Sequence, residues 1–396
     1  MNKKIIIWCF IFNFLLIVLF LYLYFDNKIR EDNTSFTLKD NLKVNVYSDV
    51  NISYFIENIE GKIIEDKKID TKKIGSKKIS FIYLNSRNKK RIGNFKINIV
   101  DEEKPLIWLS NSYNVKVGSI DNLTDNIMCA DNYDPNPLCI INGEYNLNLV
   151  GKYPLTFYAK DNSGNENEVS FTLNVYNETK NKKNNNNKVT NFNDIVRKYK
   201  TDKTLIGIDV SKWQKEIDFK KVKMSGCDFV MIRLGYQDGV EGKYVLDPYF
   251  KANIKKANEN GIKVGVYFYS YANSIKEAKK QANWVDKQVK NYKLSLPVAF
   301  DWECYNKFNS MYLSLFGLSE VSDMFLSTLK SKGYDVMLYG SKNYLNNVWK
   351  YNNYDVWLAH YAKETDYKGK YKMWQVCDNG LIDGINGSVD IDILYF

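Results

Sequence analysis

The pattern of apolar and polar positions divides the chain into three stretches of different texture. An uninterrupted uncharged run extends from Ile5 to Phe25 and ends at Asp26. Short runs of alternating apolar residues, separated by Asn, Asp, Gly and Lys, occupy residues 30–176. From Leu205 onward, strand-like apolar runs alternate with helical patterns. The sequence therefore predicts an apolar helix, then an all-β region, then an α/β domain.

The first run is long enough to span a bilayer, because about 20 apolar residues at a rise of 1.5 Å cross the hydrocarbon core. Lys3 and Lys4 precede the run, which predicts an inside N-terminus and an outside remainder. A cleaved signal peptide is the alternative, but no small-residue cleavage site follows the run. We predict that residues 1–26 form a single-pass transmembrane anchor in the cell membrane.

The all-β region contains one pattern twice. Each copy has a glycine followed by apolar residues at alternating positions: Gly75, Ile79, Phe81, Phe95, Ile97 and Ile99, then Gly151, Leu155, Phe157, Phe171, Leu173 and Val175. Residues spaced by two lie on one face of a strand, so each copy predicts a half-buried hairpin. We predict two small β-sandwich modules, at residues 27–102 and 103–176.

The second of these modules resembles the bacterial Ig-like domains found on surface proteins. Residues 104–107 at its start and 158–165 near its end carry the resemblance. The first module is more diverged. The resemblance implies modules that space or bind rather than catalyse. An Asn- and Lys-rich stretch follows, and residues 177–203 are predicted to be a linker with a short helix near its end.

The alternation of strands and helices over residues 204–396 predicts a parallel β/α barrel. The predicted helices lie at residues 218–225, 247–260, 274–291 and 319–332. The last third has too few helical patterns for a regular eightfold barrel. The predicted fold class is therefore α/β, an irregular and truncated TIM-type barrel.

Composition and charge limit the partners and the catalytic chemistry that the chain can have. The formal net charge of +10 indicates an anionic partner, but Lys is spread along the chain without a basic block, which disfavours nucleic acid. A single His, His360, excludes a His-rich zinc site and leaves little for a Ser–His–Asp triad. The sequence contains no P-loop or dinucleotide-binding glycine motif, and neither a metal nor a cofactor is predicted. Cys129 and Cys139 could pair if the chain is exported.

Two carboxylates stand at the end of one predicted barrel strand. Asp301 and Glu303 flank Trp302 and follow an apolar run, so a period of two directs both carboxylates to one face. Strand ends of this kind form the active site of such barrels. Neighbouring carboxyls do not both ionise easily, so one holds a proton at neutral pH. Glycosidic bond cleavage requires such a pair, and the spacing is compatible with retention or inversion.

Four motifs, found in the same order, make residues 205–396 resemble glycoside hydrolase family 25. The motifs are GIDVSKWQ at 207–214, PVAFDWE at 297–303, VWLAHY at 356–361, and MWQV at 373–376 with GI at 384–385 and VDID at 389–392. The members of this family are lysozymes that cleave between N-acetylmuramic acid and N-acetylglucosamine. The resemblance implies a peptidoglycan hydrolase whose C-terminal domains face the cell wall.

The resemblance also implies roles for individual residues. Glu303 is the general acid and Asp301 its carboxylate partner, while Asp209 and Asp390 complete an acidic cluster. Asp392 is the runner-up for the position of Asp390. The candidate sugar contacts are aromatic residues: Trp213, Tyr269, Tyr339, Tyr361 and Trp374.

Alternatives remain open at this point. Phe268 stands where the family often has His, which leaves one sugar contact in question. The 2-acetamido group of the substrate is a second candidate nucleophile. The alternative function is a non-catalytic peptidoglycan-binding surface protein or adhesin, and the presence of all four acids argues against it.

Overall fold

The computed structural model of the chain describes residues 3–109, 112–120, 122–177, 189–304 and 308–396; for residues 3–10, 26, 27 and 112 it describes the backbone alone. The chain divides into two compact units, Met1–Glu102 and Glu103–Phe396. The division falls between the two β modules. The second module therefore belongs to the same unit as the C-terminal domain.

The first unit consists of one helix followed by a small all-β module. Its elements are α1 (Lys3–Asn27), β1 (Arg30–Glu31), β2 (Phe36–Leu38), β3 (Lys43–Asn45), β4 (Ile56–Ile59), β5 (Gly61–Ile63), β6 (Gly75–Asn85) and β7 (Lys90–Val100). Strands β1, β7, β6 and β5 form one sheet, in which β3 also pairs with β7, and β2 pairs with β4. No helix in the described part of the chain is both long and apolar enough to cross a membrane.

The second unit begins with another all-β module. Its strands are β8 (Leu106–Trp108), β9 (Ser112–Lys116), β10 (Met128–Ala130), β11 (Leu138–Asn142), β12 (Gly151–Lys160) and β13 (Glu166–Tyr176). Four of them form a sheet in the order β11-β12-β13-β9, and β8 pairs with β10 in a separate two-stranded ribbon. A disulfide between Cys129 and Cys139 joins the ribbon to the sheet.

The two copies of the repeated pattern form equivalent antiparallel hairpins. In the first copy Ile79 lies opposite Phe95, and in the second Leu155 lies opposite Phe171. All four side chains are buried in the core of their own module. The prediction of two half-buried hairpins is confirmed.

The first element of the C-terminal domain begins at Thr190, and residues 178–188 of the predicted linker lie outside the described residues. Its elements are β14 (Thr190–Asn191), α2 (Phe192–Tyr199), β15 (Thr204–Val210), α3 (Phe219–Met224), β16 (Phe229–Gln237), β17 (Tyr244–Leu246), α4 (Phe250–Glu259), β18 (Lys263–Tyr269), α5 (Ile275–Val289), β19 (Val298–Asp301), α6 (Leu315–Lys330), β20 (Val336–Ser341), α7 (Lys342–Asn347), β21 (Asp355–Ala359), β22 (Met373–Leu381) and β23 (Val389–Tyr395).

The barrel sheet is closed, and its irregularity lies in the helices. Strands β15, β16, β18, β19, β20, β21 and β22 run parallel in that order. Strand β23 runs antiparallel to both β22 and β15 and joins the two ends of the sheet. No described helix follows β21 or β22 before the next strand. The predicted α/β barrel is confirmed. Its last strand, β23, is antiparallel to β22 and therefore follows it without a helical crossover.

The predicted helices all form, with boundaries shifted by up to four residues. Helix α6 begins at Leu315, four residues before the predicted start, because the Ser314 side chain accepts a hydrogen bond from the Gly317 amide and caps the first turn. Ser274 caps α5 in the same way through the Glu277 amide.

Strand alternation separates an outer core from the barrel interior. On β15, the side chains of Ile206 and Ile208 face the helices, and the intervening Gly207 and Asp209 face inward. The lower interior is filled by apolar side chains: Phe229, Met231, Ala299, Met337, Trp357, Met373 and Leu394. Polar side chains occupy the layer above them, at the carboxyl ends of the parallel strands.

Candidate active site

The two predicted carboxylates lie at the carboxyl end of β19. Asp301 is the last residue of the strand and is 4% exposed, whereas Glu303, two residues further, is exposed to solvent. Trp302 between them points the other way, is fully buried, and donates a hydrogen bond from Nε1 to the Ala272 carbonyl oxygen at 3.1 Å. The alternation thus brings Asp301 and Glu303 to one face, as their spacing predicts.

Two further acids face this pair from across the barrel, on the adjacent strands β15 and β23. Asp209 on β15 lies directly opposite Asp390 on β23. Asp392 lies opposite Gly207, one layer deeper in the barrel, where its Oδ1 accepts a 2.8 Å hydrogen bond from Trp357 Nε1. Asp390 is therefore level with Asp209, while Asp392 lies one layer below them.

Gln375 on β22 joins the acids to the aromatic wall of the cavity. Its Nε2 donates to Asp209 Oδ2 at 2.7 Å and to Asp390 Oδ2 at 3.1 Å. Its Oε1 accepts from the hydroxyls of Tyr339 and Tyr361, each at 3.0 Å. The amide of Gln375 is 98% buried and is thus held by four side chains at once. Such a fully satisfied network fixes the orientation of both carboxyls.

Burial raises the pKa of every carboxyl in the cluster. The pKa of Asp209 lies well above its usual range because of burial and, next, the charge of Asp392. Burial, with the charge of Asp209 adding to it, raises the pKa of Asp390 to about 9. The pKa of Asp301 is raised by burial and by the neighbouring Glu303. The pKa of Glu303 is raised because the cavity wall partly desolvates its carboxyl, although the residue remains accessible from the barrel mouth. The cluster therefore retains protons at neutral pH.

Asp301 and Glu303 behave as one titrating pair, since each affects the charge of the other. Both pKa values are raised, so the pair holds a proton that either carboxyl can carry. The Oδ1 atom of Asp301 is buried and has no hydrogen-bond partner among the described residues. The arrangement can deliver one proton at the cavity mouth while a second carboxylate faces the same point.

Three of the predicted aromatic contacts lie at the mouth of the barrel. Trp213 is 72% exposed on a 3-10 turn, Lys212–Gln214, that a capping box between Ser211 and Gln214 holds in place. Tyr361 is 52% exposed, and Tyr269 lies beside Asp301 in the sheet register. These side chains present flat apolar faces next to polar groups, as a sugar ring requires.

The other two predicted contacts occupy different positions. Tyr339 is buried in the barrel interior, where it holds Gln375. Trp374, also predicted to contact sugar, has its ring in the outer core, 3% exposed, and its Nε1 donates to the His360 carbonyl oxygen at 2.8 Å. The ring also packs on Tyr199 of α2. The physical reason is alternation on β22, which turns Gln375 inward and therefore Trp374 outward.

The same alternation identifies residues that the sequence reasoning missed. Tyr267 is half-buried and faces the barrel interior near the acids, and Gln375 occupies the centre of the network. Phe268 lies between two inward residues of β18 and packs outward against Trp284 and Phe325. A side chain at position 268 therefore points away from the acids, and a histidine there would not reach them from this strand face.

A buried ion pair supports the rim. Arg233 on β16 binds the Asp247 carboxylate through Nε at 2.9 Å and through its second terminal nitrogen at 2.8 Å. The same Asp247 oxygen accepts a hydrogen bond from the Lys212 amide at 2.9 Å. Because Lys212 begins the turn that carries Trp213, the ion pair fixes the position of that exposed ring.

Comparison with known proteins agrees with this geometry. A family model described as "Glycosyl hydrolases family 25" matches residues 208–385. The uncharacterized protein YegX of Escherichia coli O157:H7 is 33% identical over 194 residues, which are 48% of this chain and 69% of that protein. An autolytic lysozyme of Clostridium acetobutylicum is 29% identical over 191 residues, covering 47% and 54%. Lysozyme M1 of Streptomyces globisporus is 27% identical over 202 residues, covering 46% and 65%.

Proposed function

The chain belongs to glycosyl hydrolases family 25, and on that basis we propose that it cleaves the β-1,4 bond between N-acetylmuramic acid and N-acetylglucosamine in peptidoglycan. It is a glycoside hydrolase, and two of its relatives are named as lysozymes. The observation that carries the proposal is the pair of carboxyls, Asp301 and Glu303, at the end of β19, with further acids facing it.

We assign Glu303 as the general acid, because it is the member of the pair that is exposed to a ligand in the barrel mouth. The proton that the pair shares must lie on Glu303 when the bond breaks, so that it passes to the glycosidic oxygen of the leaving sugar. Asp301 is then ionised and faces the positive charge that develops at the anomeric carbon. Asp209 and Asp390, oriented by Gln375, complete the polar floor under that carbon.

The group that attacks the anomeric carbon determines the stereochemistry of the first product. A water molecule gives inversion, whereas attack by Asp301 or by the 2-acetamido group of the substrate gives retention. Proton NMR of the first product distinguishes these courses. An initial α-anomer from the β-linked glycan rules out retention, and an initial β-anomer rules out direct attack by water.

The decisive test is the activity of Glu303→Gln in the full chain. We expect the wild-type protein to clear a peptidoglycan suspension. The rate of clearing by this variant should be at least about 10³-fold lower, since glutamine keeps the side-chain shape but has no acidic proton to donate. Glu259→Gln, at an exposed position at the end of helix α4, is the matched control and should retain full activity. Mass spectrometry should find the new reducing end on N-acetylmuramic acid. Full activity in Glu303→Gln would disprove the role assigned to that residue.

We also propose that residues 1–26 anchor the protein in the cell membrane, with the remainder outside and facing the wall. The uncharged run from Ile5 to Phe25 and the two preceding lysines support this orientation. The disulfide between Cys129 and Cys139 is consistent with an oxidising compartment. Membrane fractionation tests the anchor: the chain should sediment with membranes and become soluble when residues 1–26 are removed.

The two β modules are proposed to be Ig-like domains on the strength of their repeated hairpins and the turn segment at residues 158–165. As spacers they would separate a wall-facing enzyme from the bilayer. Binding of residues 27–102 alone to purified cell wall would instead indicate that the first module is a wall-binding domain.

A further inference from the structure

The ribbon of β8 and β10 has each of its two faces in a different hydrophobic core. In its register, Met128 lies opposite Trp108, Cys129 opposite Ile107, and Ala130 opposite Leu106. Successive residues of a strand point to opposite faces, so the central pair and the two outer pairs face opposite ways. Cys129 and Ile107 belong to the core of the β module. The outer pairs, Met128 with Trp108 and Ala130 with Leu106, belong to the core of the barrel domain.

This second face is as well buried as a domain interior. Met128 is 0% exposed and Ala130 is 1% exposed, although both residues lie more than 50 positions before the first strand of the barrel sheet. Surfaces that separate and rejoin are more polar than this and remain hydrated. The second β module is therefore a fixed part of the catalytic unit and not a detachable spacer.

Polar contacts direct the module to one particular segment of the barrel, residues 308–316, which follows the catalytic pair along the chain. The backbone amides of Leu315 and Phe316, the first two residues of α6, donate to the carbonyl oxygens of Asp131 and Asn132 at 2.8 and 3.1 Å. These amides have no partner within their own helix, so the module supplies the acceptors that the helix start needs. Further back in the segment, Asn309 Nδ2 lies 2.8 Å from Cys139 Sγ.

A second line of contacts leads from the module to the catalytic residue itself. The ring of Trp108 packs edge-on against the ring of Tyr344, with centroids 5.1 Å apart. The Tyr344 hydroxyl donates a 2.9 Å hydrogen bond to the backbone carbonyl oxygen of Glu303. Tyr344 also packs on Trp302, the residue between the two carboxylates. The main chain that carries Glu303 is thus held from the side of the module.

We propose that the second β module positions the catalytic acid: Trp108, acting through Tyr344, fixes the main chain at Glu303 and so sets the distance between the Glu303 and Asp301 carboxyls. Both are positioning residues, since neither reaches the reacting atoms. The proposal rests on the proposed function, because it gives Glu303 its role as the acid. It goes further in assigning part of the catalytic geometry to a module outside the barrel.

The hydrogen bond is tested with Tyr344→Phe in the full chain, assayed on soluble peptidoglycan glycan strands. The ring and its packing remain, so folding should be unaffected, and we expect kcat to fall about tenfold with KM within about twofold. Tyr153→Phe is the matched control. It also removes a 2.9 Å hydrogen bond from a tyrosine hydroxyl to a backbone carbonyl, that of Leu149, but within the second β module and away from the ribbon. Its kcat should equal that of the wild type.

The role of the module is tested with Trp108→Ala and Trp108→Phe. The alanine variant should lose about tenfold in kcat, and the phenylalanine variant, which keeps an aromatic ring against Tyr344, should recover most of it. The pH dependence of kcat is a second readout, because a variant that only weakened the fold would leave the pKa values of the catalytic pair unchanged. Displacing Glu303 weakens its effect on Asp301, so the basic limb of the kcat profile should move to lower pH by about 0.5 unit or more.

Carbon NMR titration of the labelled carboxyls of Asp301 and Glu303 makes the result independent of turnover. If the wild-type chain does not cleave peptidoglycan, the proposed function fails, and the positioning proposal still stands or falls on whether Trp108→Ala changes this titration. Unchanged titration and unchanged kcat in Trp108→Ala would overturn the proposal. A loss in Tyr344→Phe with none in Trp108→Ala would also overturn it, since Tyr344 would then act without the module.

Discussion

Burial of the Asp390 carboxyl in the acidic cluster lowers the stability of the folded protein at neutral pH. Burial raises the pKa of this carboxyl to about 9 in the folded protein, against an ordinary value of 3.8. The folded state therefore binds more protons than the unfolded state between these two values, and stability falls as pH rises through that window. Below pH 3.8 the carboxyl is protonated in both the folded and the unfolded state, so its ionisation no longer lowers the free energy of unfolding.

Asp390→Asn should remove most of this pH dependence. The variant keeps an oxygen that can accept from Gln375, and it cannot ionise. We expect it to be more stable than the wild type at pH 7 by on the order of 2 kcal/mol, with a flatter slope of unfolding free energy against pH between 5 and 8. Urea unfolding at several pH values measures this, with Asp202→Asn, at an exposed position, as the control. A variant less stable than the wild type at every pH contradicts the expectation.

Gln375 is the residue whose loss should separate catalysis from binding most clearly. Gln375→Met keeps the side-chain volume but removes every hydrogen bond to Asp209, Asp390 and the two tyrosine hydroxyls. Because Gln375 lies beneath the acids and not at the rim, we expect kcat to fall about 100-fold with little change in KM.

The control for Gln375→Met is Gln281→Met. Gln281, on helix α5, is also a fully buried amide, and it forms hydrogen bonds with Ser270 and Gln237. Its substitution should lower the unfolding midpoint with kcat nearly unchanged. Equal losses of kcat in both variants would mean that the effect of Gln375→Met is a general weakening of the fold.

Helix α2 lies outside residues 208–385, which the family model matches, but it packs as part of the barrel domain. Phe192, at the start of α2, is 1% exposed in the outer barrel core, and Tyr199, at its end, covers the ring of Trp374. Strand β14, just before it, adds to the barrel sheet beside β22. The helix is thus a structural part of the barrel and closes one side of its outer core.

Phe192→Ala should destabilise the barrel by about 3 kcal/mol or more, as expected when a large buried aromatic side chain is removed. Val189→Ala, three residues earlier and half exposed, should change the unfolding free energy by less than about 0.5 kcal/mol. Denaturant unfolding followed by tryptophan fluorescence measures both. A similar small effect in the two variants would show that α2 does not contribute to the barrel core.

Strand period explains which elements and site residues the sequence predicted. A period of two placed Asp301 and Glu303 on one face, and the same rule applied to β22 would have exchanged Trp374 for Gln375. Trp374 is a candidate sugar contact because it is a large aromatic residue in a family motif. Neither its size nor the motif indicates which face of the strand its side chain occupies. The closed sheet was missed because an antiparallel last strand gives the same apolar pattern as a parallel one.

At the scale of the whole molecule, the sequence suggested independent modules, whereas Glu103–Phe396 is one unit. Docking between domains depends on side chains that meet only after folding, so no local pattern specifies it. One signal was present: residues 127–130 are apolar without interruption, which indicates a strand buried on both faces. Tyr344 and Trp108, more than 230 positions apart, carry no signal of contact in a single sequence.

Truncations should reveal this organisation. We expect residues 103–396 to fold cooperatively and to retain activity, since they contain all the contacts described for the second unit. Residues 200–396 lack both α2 and the β module, so the outer core would lose Phe192, Met128 and Ala130. We expect that fragment to be poorly soluble and at least about tenfold less active. Thermal unfolding and a clearing assay compare the two, and equal behaviour of both fragments would contradict the expectation.

The two-faced ribbon also has a consequence for the order in which the protein is made. Residues 106–130 emerge from the ribosome about 180 residues before the segment at 308–316 that covers them. At about 5–20 residues per second, Trp108 and Met128 remain without their partner surface for roughly 10 to 40 s. Throughout that interval, and during any passage of the chain across a membrane, the module is complete on one face and uncovered on the other. An apolar face that stays uncovered for that long exposes the nascent chain to aggregation until the barrel forms.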